Sequence, residues 1–517
     1  MQMRKFVNFR PCLIIAIAMI FSIVFAVFVC NCNFALLLIL FISFLVSAVI
    51  ALAIYFVKKI NICAFLSALF LFMALPFLSM SIKSVDVNRN NKYQIDEEIM
   101  LLGKVCDHYK ISKNGYLQLI VDDVELLIDG AVESLNGKVV IYANPEYFDL
   151  DKIEIGKYIY AEMSLKFETI NTKDRWSLSN LSKDIVATGF ADYFKVKIYD
   201  EKDSTIVDEI KLKVFETLKS SNMKNAELGY AMIFGDSNIV DRDVKTIFQS
   251  TGIAHLLAVS GLHVSAIVFA ISFLLKKLRL SQKSQLIILV VLLFFYCCMC
   301  NFSISVVRSS LMAVALNYSY VRGKAYDRLS VLSLVAIFLL LINPLQVFNI
   351  SFVLSFSAVL SIILLSRPLS ALFENVFYRK FANTLGVLFA IQIGLFAVNL
   401  FYFNSLQPLS FLANLVSIPL ATFAFILLLI LTVISVAFPF INFAFIWIGD
   451  VFEIITKYNS FIHGLNISIH VPSISVMVIP FMFALMFILS DYFFANKRVK
   501  LIASSILGIA CALLFFI

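Results

Sequence analysis

The chain has 517 residues, 61% of them apolar and 15% charged, with 52 Phe against 16 Gly. Soluble domains run nearer a quarter charged and under half apolar, so a purely soluble enzyme, a secreted disulfide scaffold and a disordered chain are excluded. The net charge of +8 is unevenly placed: residues 83–200 carry 15 Lys/Arg against 20 Asp/Glu, a balance of −5, which leaves +13 on the rest. Such an insert does not hold DNA by bulk charge alone.

Apolar runs of the length that crosses a bilayer, about 17–25 residues, open the chain at 13–30, 34–57 and 62–82. The first begins with Arg4, Lys5 and Arg10, as a signal peptide does. It lacks a small-residue cleavage site and two more spans follow at once, so a retained anchor is expected.

Short alternating stretches follow at 117–121, 124–128, 138–142 and 158–163, parted by turn residues such as Asn136-Gly137 and Ile155-Gly156. Strands at this spacing predict a small β-rich barrel or sandwich. Residues 205–221 then repeat Ile206, Ile210, Val214, Phe215 and Leu218 at helical spacing, the pattern of an amphipathic helix on the outer membrane surface.

Further apolar runs lie at 253–275, 285–300, 303–321, 329–342, 348–366, 383–403, 409–438, 441–456, 474–492 and 499–517. The expected fold is a polytopic α-helical membrane protein of about thirteen apolar segments, some re-entrant, with one external β-rich domain. Its divisions are 1–82 for the first membrane helices, 83–200 for the β-rich domain, 201–228 for the interfacial helix, 229–438 for the membrane core and 439–517 for the last helices.

Basic clusters at Arg4/Lys5/Arg10, Lys58/Lys59, Lys276/Lys277/Arg279/Lys283, Arg322/Lys324/Arg328, Arg379/Lys380 and Lys497/Arg498/Lys500 fall on one face if each run crosses once. Lys/Arg excess marks the cytoplasmic face, so the amino terminus is expected inside and the β-rich domain outside. Eight of the nine cysteines lie in or beside apolar runs, Cys106 alone is in the insert, and no CxxC or Cys/His zinc spacing occurs.

The richest stretch is 231–268, where Gly235, Asp236, Asp241, Arg242 and Asp243 lead into an apolar run with His255, Ser260, Gly261 and His263. Ionisable groups at membrane depth face protein or water rather than lipid. On an unbroken helix the two histidines stand about 12 Å apart, too far to share one ion, although a break at Ser260-Gly261 with Asp236 joining would change that. Buried histidines along a polar path are favoured over metal ligands, and no nucleophile elbow accompanies a Ser/His pair.

The run Gly235-Asp236-Ser237-Asn238, followed by Thr251-Gly252-Ile253-Ala254-His255-Leu256-Leu257-Ala258-Val259-Ser260-Gly261-Leu262-His263-Val264, resembles the signature of the ComEC family, the inner-membrane DNA channel of natural competence. Val306-Val307-Arg308-Ser309-Ser310, Asn343-Pro344 with the Ser-rich 351–359, and Asn414-Leu415 with Pro419 resemble further blocks of that family, in its order.

The resemblance implies passage of single-stranded DNA into the cytoplasm and a β-rich domain of OB-like fold; neither enzymatic activity nor a cofactor is expected. Implied partners are a DNA receptor outside, a cytosolic helicase-like translocation ATPase and the lipid bilayer. Many members end in a metallo-β-lactamase-like domain with an HxHxDH motif; His108, His255, His263, His463 and His470 form none, so a separate nuclease is expected. No GxxxxGK[ST] loop occurs, so a motor or the transmembrane gradient supplies the energy.

A strand crossing about 30 Å of hydrocarbon exposes roughly nine phosphates that lipid cannot solvate. Asp236, His255, Ser260, Gly261, His263, Ser265, Arg308, Ser309, Ser310, Ser351, Ser355 and Asn414 are the candidates for a polar path. Arg308 either meets phosphates in passing or pairs with a carboxylate such as Asp450, Glu453 or Asp491. On the insert, Tyr109, Tyr116, Tyr142, Tyr147 and Phe148 either guide bases or serve as ordinary strand tyrosines. Lys104, Lys110 and Lys113 are its one basic cluster, or a solvated edge. Two rival functions stand: an intramembrane metal-dependent hydrolase using His255, His263 and Asp236, and a small-solute secondary transporter, which needs pseudo-symmetric halves that the sequence does not display.

Overall fold

The computed structural model describes residues 10–30, 34–93, 98–112, 114–128, 131–147, 153–171, 174–374, 376–465, 467, 469–471, 475–493 and 496–516. Arg4, Lys5, Lys113, Phe148 and the side chain of Tyr147 therefore lie outside the described residues. Uninterrupted apolar sequence forms the first helices, α1 (Pro11–Cys30), α2 (Phe34–Lys58) and α3 (Asn61–Asn90). α3 continues two turns beyond the apolar run that ends at 82, carrying Lys83, Asp86 and Arg89 out to the β-rich region.

That region holds β1 (Ile99–Val105), β2 (Lys110–Ile111), β3 (Leu117–Ile128), β4 (Ala131–Leu135), β5 (Lys138–Ala143), β6 (Lys157–Phe167), α4 (Arg175–Leu181) and β7 (Ile185–Lys202). β1 pairs with both β6 and β3, β6 with β7, β7 in parallel with β5, and β5 with β3, so five strands close into a ring. Alternate residues fill its interior, among them Leu101, Leu119, Ile141, Ile159 and Leu165. Sequence periodicity splits β3 in two at Asp122-Asp123; the chain instead continues through Asp123 at φ +48°, first paired with β5 and then with β4. The polar pair bends one strand rather than ending it.

The remaining elements are α5 (Ile206–Ser220), α6 (Ala226–Phe234), α7 (Arg242–Ser250), α8 (Gly261–Lys277), α9 (Gln282–Met299), α10 (Ile304–Arg322), α11 (Arg328–Ile342), α12 (Ile350–Phe373), α13 (Arg379–Phe403), β8 (Ser405–Leu406), α14 (Ser410–Ala437), α15 (Phe445–Gly464), β9 (Ile469–His470), α16 (Val478–Leu489) and α17 (Lys497–Phe516). Among the described residues eight helices are long and apolar enough to cross a membrane, and α11 and α16 are shorter apolar helices.

α5 starts at a capping box between Thr205 and Asp208. It packs on the core rather than lying free, with Lys211 buried and its Nζ donating to Asn301 Oδ1 at 2.9 Å. α6 is buried along almost its whole length, with Tyr230 and Ala231 among the best-covered residues. The two ends of the bundle differ. Arg10 pairs with Asp327 at 2.9 Å and lies over Tyr492, whereas Asn301, Asn343 and Phe401 meet α5 or the β domain at the opposite ends of α10, α11 and α13.

Candidate polar site in the membrane core

The segment expected as one apolar helix over 253–275 is broken, and the breaks fall at its polar and glycine residues. α6 stops at Gly235 (φ +82°) and α7 starts at Asp241, whose carboxylate accepts from Asp243 N–H at 2.7 Å. Gly252 (φ +76°) lies so close to α14 that a Cβ there would come 2.6 Å from Ser410 Cβ. His255 therefore sits in a 3₁₀ turn, Ala254–Leu256, and is not on the helix that carries His263. Ser260 is the N-cap of α8 and not an interior residue. Broken backbone at this depth is tolerated where it is packed in protein or lines a wet cavity.

The Ser260 cap is a capping box with a histidine in the third place: Ser260 N–H donates to His263 Nδ1 at 3.0 Å. An accepting Nδ1 puts the ring proton on Nε2. That Nε2 has no hydrogen-bond partner among the described residues, although His263 is only 1% exposed, and the ring stands edge-on to Phe425 with centroids 4.5 Å apart.

Arg308 lies one turn into α10 and is 5% exposed. Its Nε donates to Ser355 Oγ on α12 at 2.8 Å, Ser305 Oγ donates to the same Oγ at 3.1 Å, and the guanidinium lies over Phe356. None of the carboxylates considered as partners holds it: Asp450 and Glu453 pair with Lys224 at 3.1 and 2.7 Å, and no ion pair of Arg308 exists among the described residues.

The guanidinium instead abuts the start of α8, where a Cβ on Gly261 would meet Arg308 Nη2 at 3.3 Å and Ser309 Oγ at 2.9 Å. A buried cation with no carboxylate partner among the described residues thus packs tightly against the first residue of α8.

The structure brings Gly261, Arg308, Ser309 and Ser355 together, with Ser260 and His263 beside them. Ser351 is exposed one turn before Ser355 on α12. Ser310 hydrogen-bonds Cys297, and Ser265 donates back to Gly261 O. Asn414 is elsewhere on α14: its Nδ2 donates to Ser410 O, and its buried Oδ1 has no partner among the described residues. Asp236 leaves the group altogether, since its Oδ2 stands 3.7 Å from His108 Nε2 in the β domain. The His255/His263/Asp236 constellation of the hydrolase reading is not assembled, and among the described residues no group of three His, Cys, Asp or Glu could hold a metal.

At this junction burial, then the Asp236 carboxylate, push Asp107 up to about 6, and burial lowers His108. A second joint uses the Asn-Pro motif: Asn343 Nδ2 and Gln346 Nε2 both donate to Ser182 O at 3.1 Å, and Lys83 Nζ donates to Asn343 Oδ1 at 3.0 Å.

On the β domain Phe190, 63% exposed, stacks on Tyr142 with centroids 5.1 Å apart and takes Tyr116 edge-on at 5.5 Å. Sequence reasoning picked the two tyrosines and missed Phe190, which only strand pairing sets beside them. Tyr109 packs on the barrel core. Lys104 is not free for a ligand, being paired with Asp203 at 2.9 Å and Asp123 at 3.7 Å.

A family profile described as Competence protein matches residues 232–493, which contain the broken segment, Arg308 and Asn343. The chain belongs to the ComEC family. Two curated members are similar to it. ComE operon protein 3 of Bacillus subtilis is 30% identical over 194 residues, 37% of this chain and 24% of that protein. Recombination protein 2 of Haemophilus influenzae is 28% identical over 220 residues, 40% of this chain and 28% of that protein. The chain thus matches about a quarter of the length of these ComEC relatives. No solved structure matches it.

Proposed function

We propose that this ComEC-family chain sits in the cytoplasmic membrane and passes single-stranded DNA inward during transformation, as a conduit and not an enzyme. One observation carries the reading. Inside the family-matched segment, the Arg308 guanidinium is buried, with no carboxylate partner among the described residues, against the start of α8, where its charge can meet a passing phosphodiester. A single such cation attracts phosphates without trapping a strand.

The basic clusters support an orientation with the β domain outside. Its ring of five strands, with β5 and β7 parallel, supports an OB-like barrel. The Phe190–Tyr142 stack is a surface on which bases can lie. The partners that complete this reading are a DNA receptor outside, a helicase-like ATPase inside and a separate nuclease. The test deletes the gene in a transformable host and scores surface binding and cytosolic entry of labelled DNA separately. Capture without entry is expected; unchanged entry overturns the proposal.

A further inference from the structure

α15 carries two different exposed faces. Trp447, Ile454 and Phe461 recur every seventh residue and form an apolar stripe, 57–73% exposed. Asp450, Glu453 and Lys457 form a charged stripe on the next face, their side chains 31–75% exposed. Lipid covers a face of the first kind and does not solvate one of the second.

The charged stripe lies along the middle of the helix. α15 runs antiparallel to α14, with Tyr458 Oη donating to Leu412 O at 3.0 Å and Asn459 Nδ2 donating to Ser417 Oγ at 2.8 Å. Its C-terminal end meets α7, where His463 Nδ1 stands 2.6 Å from Ser250 Oγ. At 1.5 Å per residue, Lys457, Glu453 and Asp450 lie about 9, 15 and 20 Å down the axis from His463, on a helix about 30 Å long.

The α5–α6 hairpin reaches the same level. Lys224, in the turn between the two helices, pairs with Asp450 at 3.1 Å and with Glu453 at 2.7 Å, and Lys457 pairs with Glu453 at 2.6 Å. The turn is packed on α15, since a Cβ on Gly449 would come 2.6 Å from Lys224 N. α6 returns between α14 and α15, where a Cβ on Gly229 would come 3.4 Å from both Leu428 Cδ2 and Phe452 Cε2. Lys219 near the end of α5 pairs with Glu227 near the start of α6 at 3.9 Å. The other end of α5 follows β7, and its Lys211 holds Asn301 at the β-domain end of the bundle. Between these levels Glu209, Lys213, Glu216 and Ser220 are exposed at helical spacing, so a polar stripe leads from that end down to Lys224.

What covers this face follows from its charge. Three lysines balance three carboxylates in the network, so it offers no unpaired charge to the side chains of a protein partner. Water entering along the α5 stripe solvates it, and a backbone turn at membrane depth is tolerated where it lines such a cavity.

We infer that α5 and α15 wall a water-filled cleft that enters the membrane from the β-domain end and reaches the Lys224–Glu453 pair, so that α5–α6 is a re-entrant hairpin and not a helix flat on the surface. The cleft rests on the chain's place in the membrane and not on DNA passage; a neutral network gives a strand's phosphates no hold.

The test measures collisions of single nitroxide labels by electron paramagnetic resonance, on the full chain in lipid nanodiscs with its native cysteines replaced. Oxygen concentrates in lipid and a neutral nickel chelate in water, while contact with protein slows both. Lys457→Cys and Ser220→Cys should favour the nickel chelate over oxygen several-fold relative to Ile454→Cys on the apolar stripe. Ser220 donates only to Thr217 O, so its variant breaks no ion pair and decides the matter if Lys457→Cys does not fold.

Oxygen dominating at Lys457 and Ser220 as at Ile454 overturns the cleft by putting lipid on the charged face. Slow collision with both reagents at the two sites overturns it by assigning the face to a protein partner. A nickel preference at Ile454 as well overturns it by taking α15 out of the bilayer. No DNA enters these measurements, so the passage reading stands or falls separately.

Discussion

Arg308 on α10 and Ser355 on α12 are joined by a hydrogen bond of 2.8 Å from the guanidinium Nε to the hydroxyl Oγ, with Ser305 donating to the same oxygen. The serine fixes the guanidinium without neutralising it. The charge stays available, which a carboxylate in the same place would prevent.

Arg308→Ala should reduce cytosolic entry of labelled DNA by at least about tenfold while surface capture persists. Ser355→Ala removes a hydrogen bond to a charged group, worth about 1.5–3 kcal/mol, and should reduce entry less. Because the two act through one geometry, the double variant should be no worse than Arg308→Ala alone. Fluorescence of DNA protected inside the cell measures all three.

Gly261→Ala should act on the same site without touching the charge. Its Cβ would sit 2.9 Å from Ser309 Oγ and 3.3 Å from Arg308 Nη2, so the guanidinium must shift. Entry should fall several-fold with a melting temperature close to wild type, read by parallel uptake and thermal-shift measurements.

Asn343→Ala should loosen the β domain. Its loss leaves Lys83 Nζ without its Asn343 partner and removes one of two donors to Ser182 O, a cost of about 1–3 kcal/mol. Faster amide exchange in the segment around Ser182, with the barrel interior unchanged, is the expected signature.

The Asp107–Asp236 junction should respond to pH. Burial and the Asp236 carboxylate raise Asp107 to about 6, so its protonated form favours the folded joint and its contribution fades as pH rises through about 6. His108, lowered by burial, works the other way, because its protonation at low pH opposes the packed state. Lys138, Lys211 and Lys245 also face the group. Subtracting Asp107→Asn from wild type isolates the carboxyl. The difference in melting temperature between them should move in favour of wild type from pH 7 to pH 5.

Much of the architecture was legible in the sequence because a bilayer demands long apolar runs and strands demand alternation. The ends of α9, α10 and α13 fall within a few residues of the apolar boundaries. The break before α8 was legible only as an option at Ser260-Gly261, since 253–275 is mostly apolar and long enough to cross as one helix. Arg308 and Ser355 were both picked as isolated polar residues; their contact comes from helix packing, which no local pattern encodes. Asp236 shows the converse. Its place in a family-like motif suggested the membrane path, whereas its partner is His108, 128 positions earlier in the chain. Phe190 and Ser182 were overlooked for the same reason, because their roles depend on strand register and on a backbone carbonyl.

Under the proposed function, strands pass between α8, α10 and α12. The most direct measurement places a cysteine at Ser355, in a chain whose native cysteines are replaced, and reconstitutes it in vesicles. A membrane-impermeant thiol reagent should label Ser355→Cys, bound single-stranded DNA should protect it, and labelling with a bulky reagent should stop DNA entry. A thiol that never reacts, in vesicles that still admit DNA at the wild-type rate, would contradict the account.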